Sequence, residues 1–289
     1  MRRIEFQVDG ETLVGNLHLP QTPGPHPAIL TGGPMTSIKE QVTGTYAAAL
    51  AERGFAALAI DHRHYGESEG SPRQYEYFPD KIADLKSAVA ALAEQPDVDE
   101  TRMAAVGICL GSGYLAHAIK DQPRIRAFTA IAGYYRDVPA MKAADPDGFA
   151  DKVLQGRAAR EKFEATGQVD MIPAVALDQD AAMMIQSTYD YYADRAAHPN
   201  YVNAFAVMSR EHFLQFDVQS AAATLPVPFQ MIHSANALNP AWADKFFGNV
   251  KTQKEREMIH SEGQTDIYDD PDIVSEATQF ADKFLRQHL

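Results

Sequence analysis

Apolar and polar residues alternate through residues 3–19 on either side of Asp9-Gly10, a dipeptide that favours tight turns, which predicts an antiparallel hairpin. Beyond a Pro-rich connector at 20–27 the pattern changes. Ala28-Ile29-Leu30 is a short, continuously apolar run, 42–53 carries helical spacing, and 55–60 is apolar again. Residues 78–94 read as the next helix, 103–108 as a strand, 113–119 as a helix, and 125–132 as a further strand. Short, unbroken apolar strands alternating with helices predict a mostly parallel sheet with helices on both faces.

The alternation then stops. From about residue 134 to 223 no clear strand is visible, and the segment shows helical patterns rich in Ala, Met and Tyr. It resumes with Pro228-Phe229-Gln230-Met231-Ile232-His233, a helix near Trp242, a strand around Met258-Ile259 and a helix over 273–285. The expected architecture is an eight-stranded α/β core, 1–133 and 224–289, with a helical insertion, 134–223, after the sixth strand. The charged run at 251–257 reads as a solvated loop and strand edge. Asp269-Asp270-Pro271-Asp272 reads as the N-cap of the last helix, with Pro271 in its first turn. There are no internal repeats and no low-complexity tail.

Composition changes this picture little. A chain of 289 residues with 45% hydrophobic and 22% charged residues is of ordinary globular make-up. Its net charge of −13 argues against nucleic acid or an anionic membrane as partner. No apolar run approaches the roughly 20 residues of a membrane span, and no apolar h-region follows Arg2-Arg3. The expected partner is a small molecule, and a homodimer is left open. One cysteine excludes an intrachain disulfide, and a lone thiol suits a reducing cytoplasm.

That cysteine carries the chemistry. It stands in Gly107-Ile108-Cys109-Leu110-Gly111, between the apolar run 103–106 and a helical run. A Gly-x-nucleophile-x-Gly turn between strand and helix is the nucleophile elbow of α/β-hydrolases, with cysteine in place of serine. The glycines are expected to relieve a sharp turn, and the helix N-terminus to favour the thiolate. The plain alternative is a buried structural cysteine in an ordinary βα turn.

With the elbow, Ile38-Lys39-Glu40-Gln41, the stretch Asp61-His62-Arg63-His64-Tyr65-Gly66-Glu67-Ser68, Pro72-Arg73-Gln74 and Asp266-Ile267-Tyr268-Asp269 complete a pattern. The chain resembles the dienelactone-hydrolase-like branch of the α/β-hydrolases, including bacterial hydrolases and fungal polyketide transferases. The resemblance implies an eight-stranded α/β-hydrolase fold with a lid after the sixth strand. It also implies a triad completed by an acid after the seventh strand and a histidine after the eighth. Both positions are altered here: Asn236 or Ala237 stands where Asp is expected, and Gln264 where His is expected.

Cysteine tolerates such a loss better than serine, because part of it is thiolate near neutral pH. Gln264 can exchange hydrogen bonds but cannot carry a proton. The resemblance offers Glu40 as a group near the nucleophile that handles its proton; a pairing with Lys39 is the structural alternative. His233, His260, His62 and His64 are weaker substitutes, the last two suited to fixing a turn. The oxyanion hole needs two N–H groups: Leu110 supplies one, and Met35 the other, with Gly33 as fallback because Pro34 has none. Tyr189, Tyr192 and Met184 are candidate contacts for a largely apolar substrate.

No His/Cys/Asp/Glu spacing points to a metal, and the glycines at 107, 111 and 113 do not form a dinucleotide loop, so no cofactor is expected. Two functions remain. One is a hydrolase or acyltransferase for esters, lactones or thioesters, working through acyl-Cys109. The other is a non-hydrolytic protein of the same fold that binds a ligand or steers elimination or cyclisation.

Overall fold

The computed structural model describes all of residues 1–289. Ten strands follow in chain order: β1 (Arg2–Val8), β2 (Glu11–His18), β3 (His26–Gly32), β4 (Ala56–Ile60), β5 (Val98–Ile108), β6 (Ile125–Ile131), β7 (Met171–Ile172), β8 (Phe205–Ala206), β9 (Phe229–His233) and β10 (Lys254–Met258). The helices are α1 (Val42–Glu52), α2 (Phe78–Ala93), α3 (Gly111–Ala118), α4 (Val138–Ala144), α5 (Pro146–Thr166), α6 (Gln186–Asp190), α7 (Ser209–Phe213), α8 (Pro240–Asn249), α9 (Asp266–Asp269) and α10 (Pro271–His288). None is long and apolar enough to cross a membrane.

Eight strands form one sheet in the order β1-β2-β4-β3-β5-β6-β9-β10. The hairpin turns at Asp9 and Gly10, both at positive φ, as a two-residue turn between right-twisted strands requires. β2 runs antiparallel to β1 and β4, and every pairing from β4 to β10 is parallel. The chain leaves β3 toward β4, then reverses to reach β5 and continues toward β10. Right-handed crossovers therefore put α1 on the face opposite α2, α3 and α8, and α10 packs beside α1. The reversal opens a crevice at the carboxyl ends of β3 and β5, where ligands bind in sheets of this kind.

The sequence pattern places most core elements within a few residues. The exceptions have physical causes. The run at 251–257, expected as loop and strand edge, contributes most of β10; an edge strand is covered on one side only and tolerates Lys254, Glu255 and Arg256. The inserted segment, expected without strands, holds the two-residue pair β7–β8, too short to leave a periodic signature. Asp270 caps α10 by accepting the N–H groups of Asp272 and Ile273, as its sequence implies.

Within the insertion, α5 buries only Gly156 and Ala159. A Cβ on Gly156 would lie 2.3 Å from the Glu211 nitrogen, so this glycine sets how closely α5 approaches α7. Glu211 then receives Arg157 at 3.1 Å and Arg160 at 2.6 Å, tying the two helices.

Candidate active site

Cys109 sits between β5 and α3 with φ +53°, a conformation side chains rarely adopt. The strain expected at the glycines falls on the cysteine itself. The glycines answer a different need, close approach. A Cβ on Gly107 would meet the Ser112 backbone at 2.6 Å, and one on Gly111 would meet the Gly32 carbonyl oxygen at 2.2 Å. Gly111 thereby lets α3 press against the end of β3, bringing the 33–35 loop beside the elbow.

Cys109 is almost fully buried and contributes to the wall of a cavity of about 270 Å³. The wall is mostly apolar, joining the ends of β3, β5, β6 and β9 to the inserted segment and Tyr268. Burial pushes the thiol up to about 11; Tyr268, the Leu110 N–H and Gln264, in that order, pull against it. The expected thiolate at a helix N-terminus is thus corrected. α3 is only eight residues long, and desolvation outweighs what its end supplies.

Gln264 lies beside the sulfur, the place the resemblance assigned to a histidine, and three other protein groups also hold it. Its amide donates to the Ala132 carbonyl at 2.8 Å and to the Tyr268 hydroxyl at 3.1 Å, and its oxygen accepts the Leu238 N–H at 3.0 Å. Asn236 does not orient it. That residue is exposed and donates to the Ser261 carbonyl at 2.8 Å, so the group supporting position 264 is the Leu238 backbone.

No histidine lines the cavity. His233 is buried between the Ser234 and Gly133 carbonyls, and His260 is exposed beside Glu262. His62 and His64 pair with Asp84 and Asp80 and brace the turn after β4.

Glu40 is likewise outside the cavity wall. It belongs to a cluster around the fully buried Lys39 ammonium, which meets Glu40 at 2.7 Å, Asp61 at 2.7 Å and Glu67 at 2.6 Å. A buried ammonium requires such company, which is why Glu40 turns to its neighbour rather than to the nucleophile. The three carboxylates converge closely enough to hold a cation, and Lys39 is that cation.

The two oxyanion candidates lie on the same cavity. Met35 and Leu110 both line the cavity, and neither N–H donates to an oxygen elsewhere in the protein. Their setting is rigid. Thr36, at φ +60°, donates its N–H to Glu76 at 2.9 Å, and the same buried carboxylate takes the Tyr65 and Tyr114 hydroxyls at 2.8 and 2.6 Å and Lys81 at 2.7 Å.

Of the three substrate contacts expected, Tyr192 lies in the wall and Met184 at its rim, half exposed. Tyr189 lies outside it. Thr188 and Tyr192, four residues apart, share the inward side of the helical turn, which sends Tyr189 to the surface. Sequence reasoning missed three residues: Tyr268, Arg136 and Glu76. Tyr268 had a signal, lying inside the matched stretch after position 264. Arg136 had only its place just past a central strand.

Comparison with known proteins decides the family. The model of the FrsA-like esterases matches residues 1–157, more than half the chain. The chain belongs to the FrsA-like esterase family. It is a hydrolase of the α/β-hydrolase superfamily, and esterase activity is the property of its family.

An uncharacterized protein of Escherichia coli (strain K12), YcjY, is 27% identical over 277 residues, 91% of this chain and 89% of that protein. Thiohydrolase aneE of Aspergillus aculeatus is 34% identical over 177 residues, 60% of this chain and 54% of that protein. The crystal structure of hypothetical protein PA2218 from Pseudomonas aeruginosa superimposes with a TM-score of 0.87 at 26% identity, covering 100% of this chain and 93% of that one.

Proposed function

We propose that this FrsA-like hydrolase acts on a thioester, ester or lactone of a small, largely apolar metabolite, through an acyl-Cys109 intermediate. The observation that carries the reading is Cys109 itself. It is a strained nucleophile facing a mostly apolar cavity, with the N–H groups of Leu110 and Met35, neither committed to a protein oxygen, lining the same cavity. A cavity of about 270 Å³ is small for a ligand site and fits a short acyl group.

The chemistry favours a thioester among these substrates. Sulfur attacks the carbonyl carbon, the oxygen takes up charge toward the two N–H groups, and the leaving group departs. With the thiol near 11 and no histidine in the wall, nothing is poised to take the cysteine proton or to protonate an alkoxide. A thiolate departs without protonation: the C–S bond to the leaving thiol breaks as the bond to Cys109 forms, the proton lost by Cys109 to solvent is matched by the one the released thiol regains, and one thioester replaces another. The likeness to a protein named thiohydrolase supports the same choice. Release of the acyl group to water, or to another nucleophile, is then the slow step.

The test is intact-mass analysis after incubation with a short-chain acyl N-acetylcysteamine thioester and the matching phenyl ester. Acyl mass on the wild-type protein, faster from the thioester and absent in Cys109→Ala, is the expected result. Thioester turnover unchanged in Cys109→Ala would refute the mechanism. Ligand stabilisation without any adduct would favour the non-hydrolytic reading.

A further inference from the structure

We propose that the acyl substrate carries a carboxylate, and that Arg136, in the wall of the Cys109 cavity, receives it. The proposal rests on the acylation of Cys109 and names the class of acyl group that enters.

Arg136 is 1% exposed. Its guanidinium reaches only uncharged partners. Nη1 donates to the Phe213 carbonyl at 2.6 Å, and Nη2 to the Leu214 carbonyl at 3.2 Å and the Met141 sulfur at 3.7 Å. No carboxylate forms an ion pair with it within 4.0 Å, and Glu76 and Asp217 act only through space. Its Nε–H has no partner. One face of the guanidinium is stacked on Phe213, 4.2 Å from the ring centre.

Capping the last carbonyls of α7 explains Nη1 and Nη2, but it does not explain a full charge. A neutral amide could make the same two bonds. An arginine stays charged even where burial lowers its pKa, as it does here, and an uncompensated buried charge is expensive. Such a charge in the wall of a binding cavity is balanced when the ligand brings the opposite one.

A second donor points the same way. The Tyr192 hydroxyl, 1% exposed and in the same wall, also has no partner. A carboxylate has two oxygens, one to accept the unpartnered Nε–H and one to accept the tyrosine hydroxyl. The rest of the wall is mostly apolar, which leaves the acyl chain between Arg136 and Cys109.

Two measurements test this. The first compares acylation of wild-type Cys109 by glutaryl-N-acetylcysteamine and by its methyl ester, which differ only in the charge. The second measures protection of Cys109 from iodoacetamide by 4-phenylbutyrate and by 4-phenylbutanamide. The acid form should acylate at least tenfold faster and protect at least tenfold more strongly. Arg136→Met should bring both ratios to near one, and Arg136→Lys should restore part of them.

Acylation by both thioesters at equal, measurable rates, or equal or absent protection in the wild-type protein, overturns the subsite without reliance on any variant. If neither thioester acylates Cys109 while the acid still protects more strongly, the catalytic reading falls and the subsite stands.

Discussion

At the scale of single residues the site is a cysteine whose surroundings hold its proton on. The raised thiol has a defined consequence. Alkylation of Cys109 by iodoacetamide should accelerate about tenfold per pH unit between pH 7 and 9.5, as the thiolate fraction grows below a pKa of about 11. A plateau starting below pH 8 would show a thiolate that the fold stabilises after all. Tyr268→Phe removes the strongest of the groups that lower this pKa, so the same profile should move to higher pH and the rate at pH 8 should fall by roughly tenfold. Gln264→His is the substitution that the resemblance invites, yet it should raise acyl-enzyme release by less than about threefold. The Leu238 N–H that now meets the Gln264 oxygen would donate into the ring and leave the proton on the nitrogen facing Cys109, the wrong tautomer for a base. A tenfold gain in single-turnover deacylation would show that the imidazole finds another orientation. Cys109, Leu110, Met35 and Gln264 were legible in the sequence because they sit at fixed offsets from strand ends. Glu40 and Asn236 were misplaced because their partners, Lys39 and the Ser261 carbonyl, are set by local competition that no offset encodes.

At the scale of elements, what builds the site is the contact between the end of β3 and the start of α3. The pattern of short apolar strands made the sheet readable, since the central strands β3, β4 and β6 are buried on both faces over most of their length and are largely apolar there. The inserted segment was less readable. Its pieces, such as α6, α7 and β7–β8, are shorter than a window in which periodicity can be recognised, and they are held by packing on the core rather than by propensity. Gly111 is the element-level test. A methyl group there would sit 2.2 Å from the Gly32 oxygen and 2.6 Å from the Gly33 nitrogen, both backbone atoms that cannot swing away. Gly111→Ala should therefore destabilise the fold by about 2–4 kcal/mol. It should also slow acylation of the remaining folded protein, because it drives the Met35 N–H away from Leu110. Denaturant unfolding and the labelling rate in the absence of denaturant separate the two effects. Unchanged stability would mean that α3 can slide along the sheet at no cost.

At the scale of the whole molecule, charge and cavity pull in opposite directions. The chain has 39 acidic and 26 basic residues, a net charge of −13, so its field repels an anion approaching from solution. Arg136 is buried within the mostly apolar wall of the cavity and acts only at short range. An anionic acyl substrate would thus meet repulsion first and attraction last. Repulsion between a surface and a distant ion is screened by salt, the Debye length falling from about 30 Å at 0.01 M to about 8 Å at 0.15 M, while a buried contact is screened far less. The rate constant for acylation at low substrate should therefore rise with ionic strength for the carboxylate thioester, by about two- to fivefold over that range. Its neutral methyl ester should stay flat. Stopped-flow acylation of the wild-type protein by the two compounds, at matched pH and increasing sodium chloride, reads this directly. A rate that falls with salt for the anion would mean that it is steered in by a positive surface feature. The entrance would then have to be sought among the exposed lysines and arginines rather than at the rim near Met184.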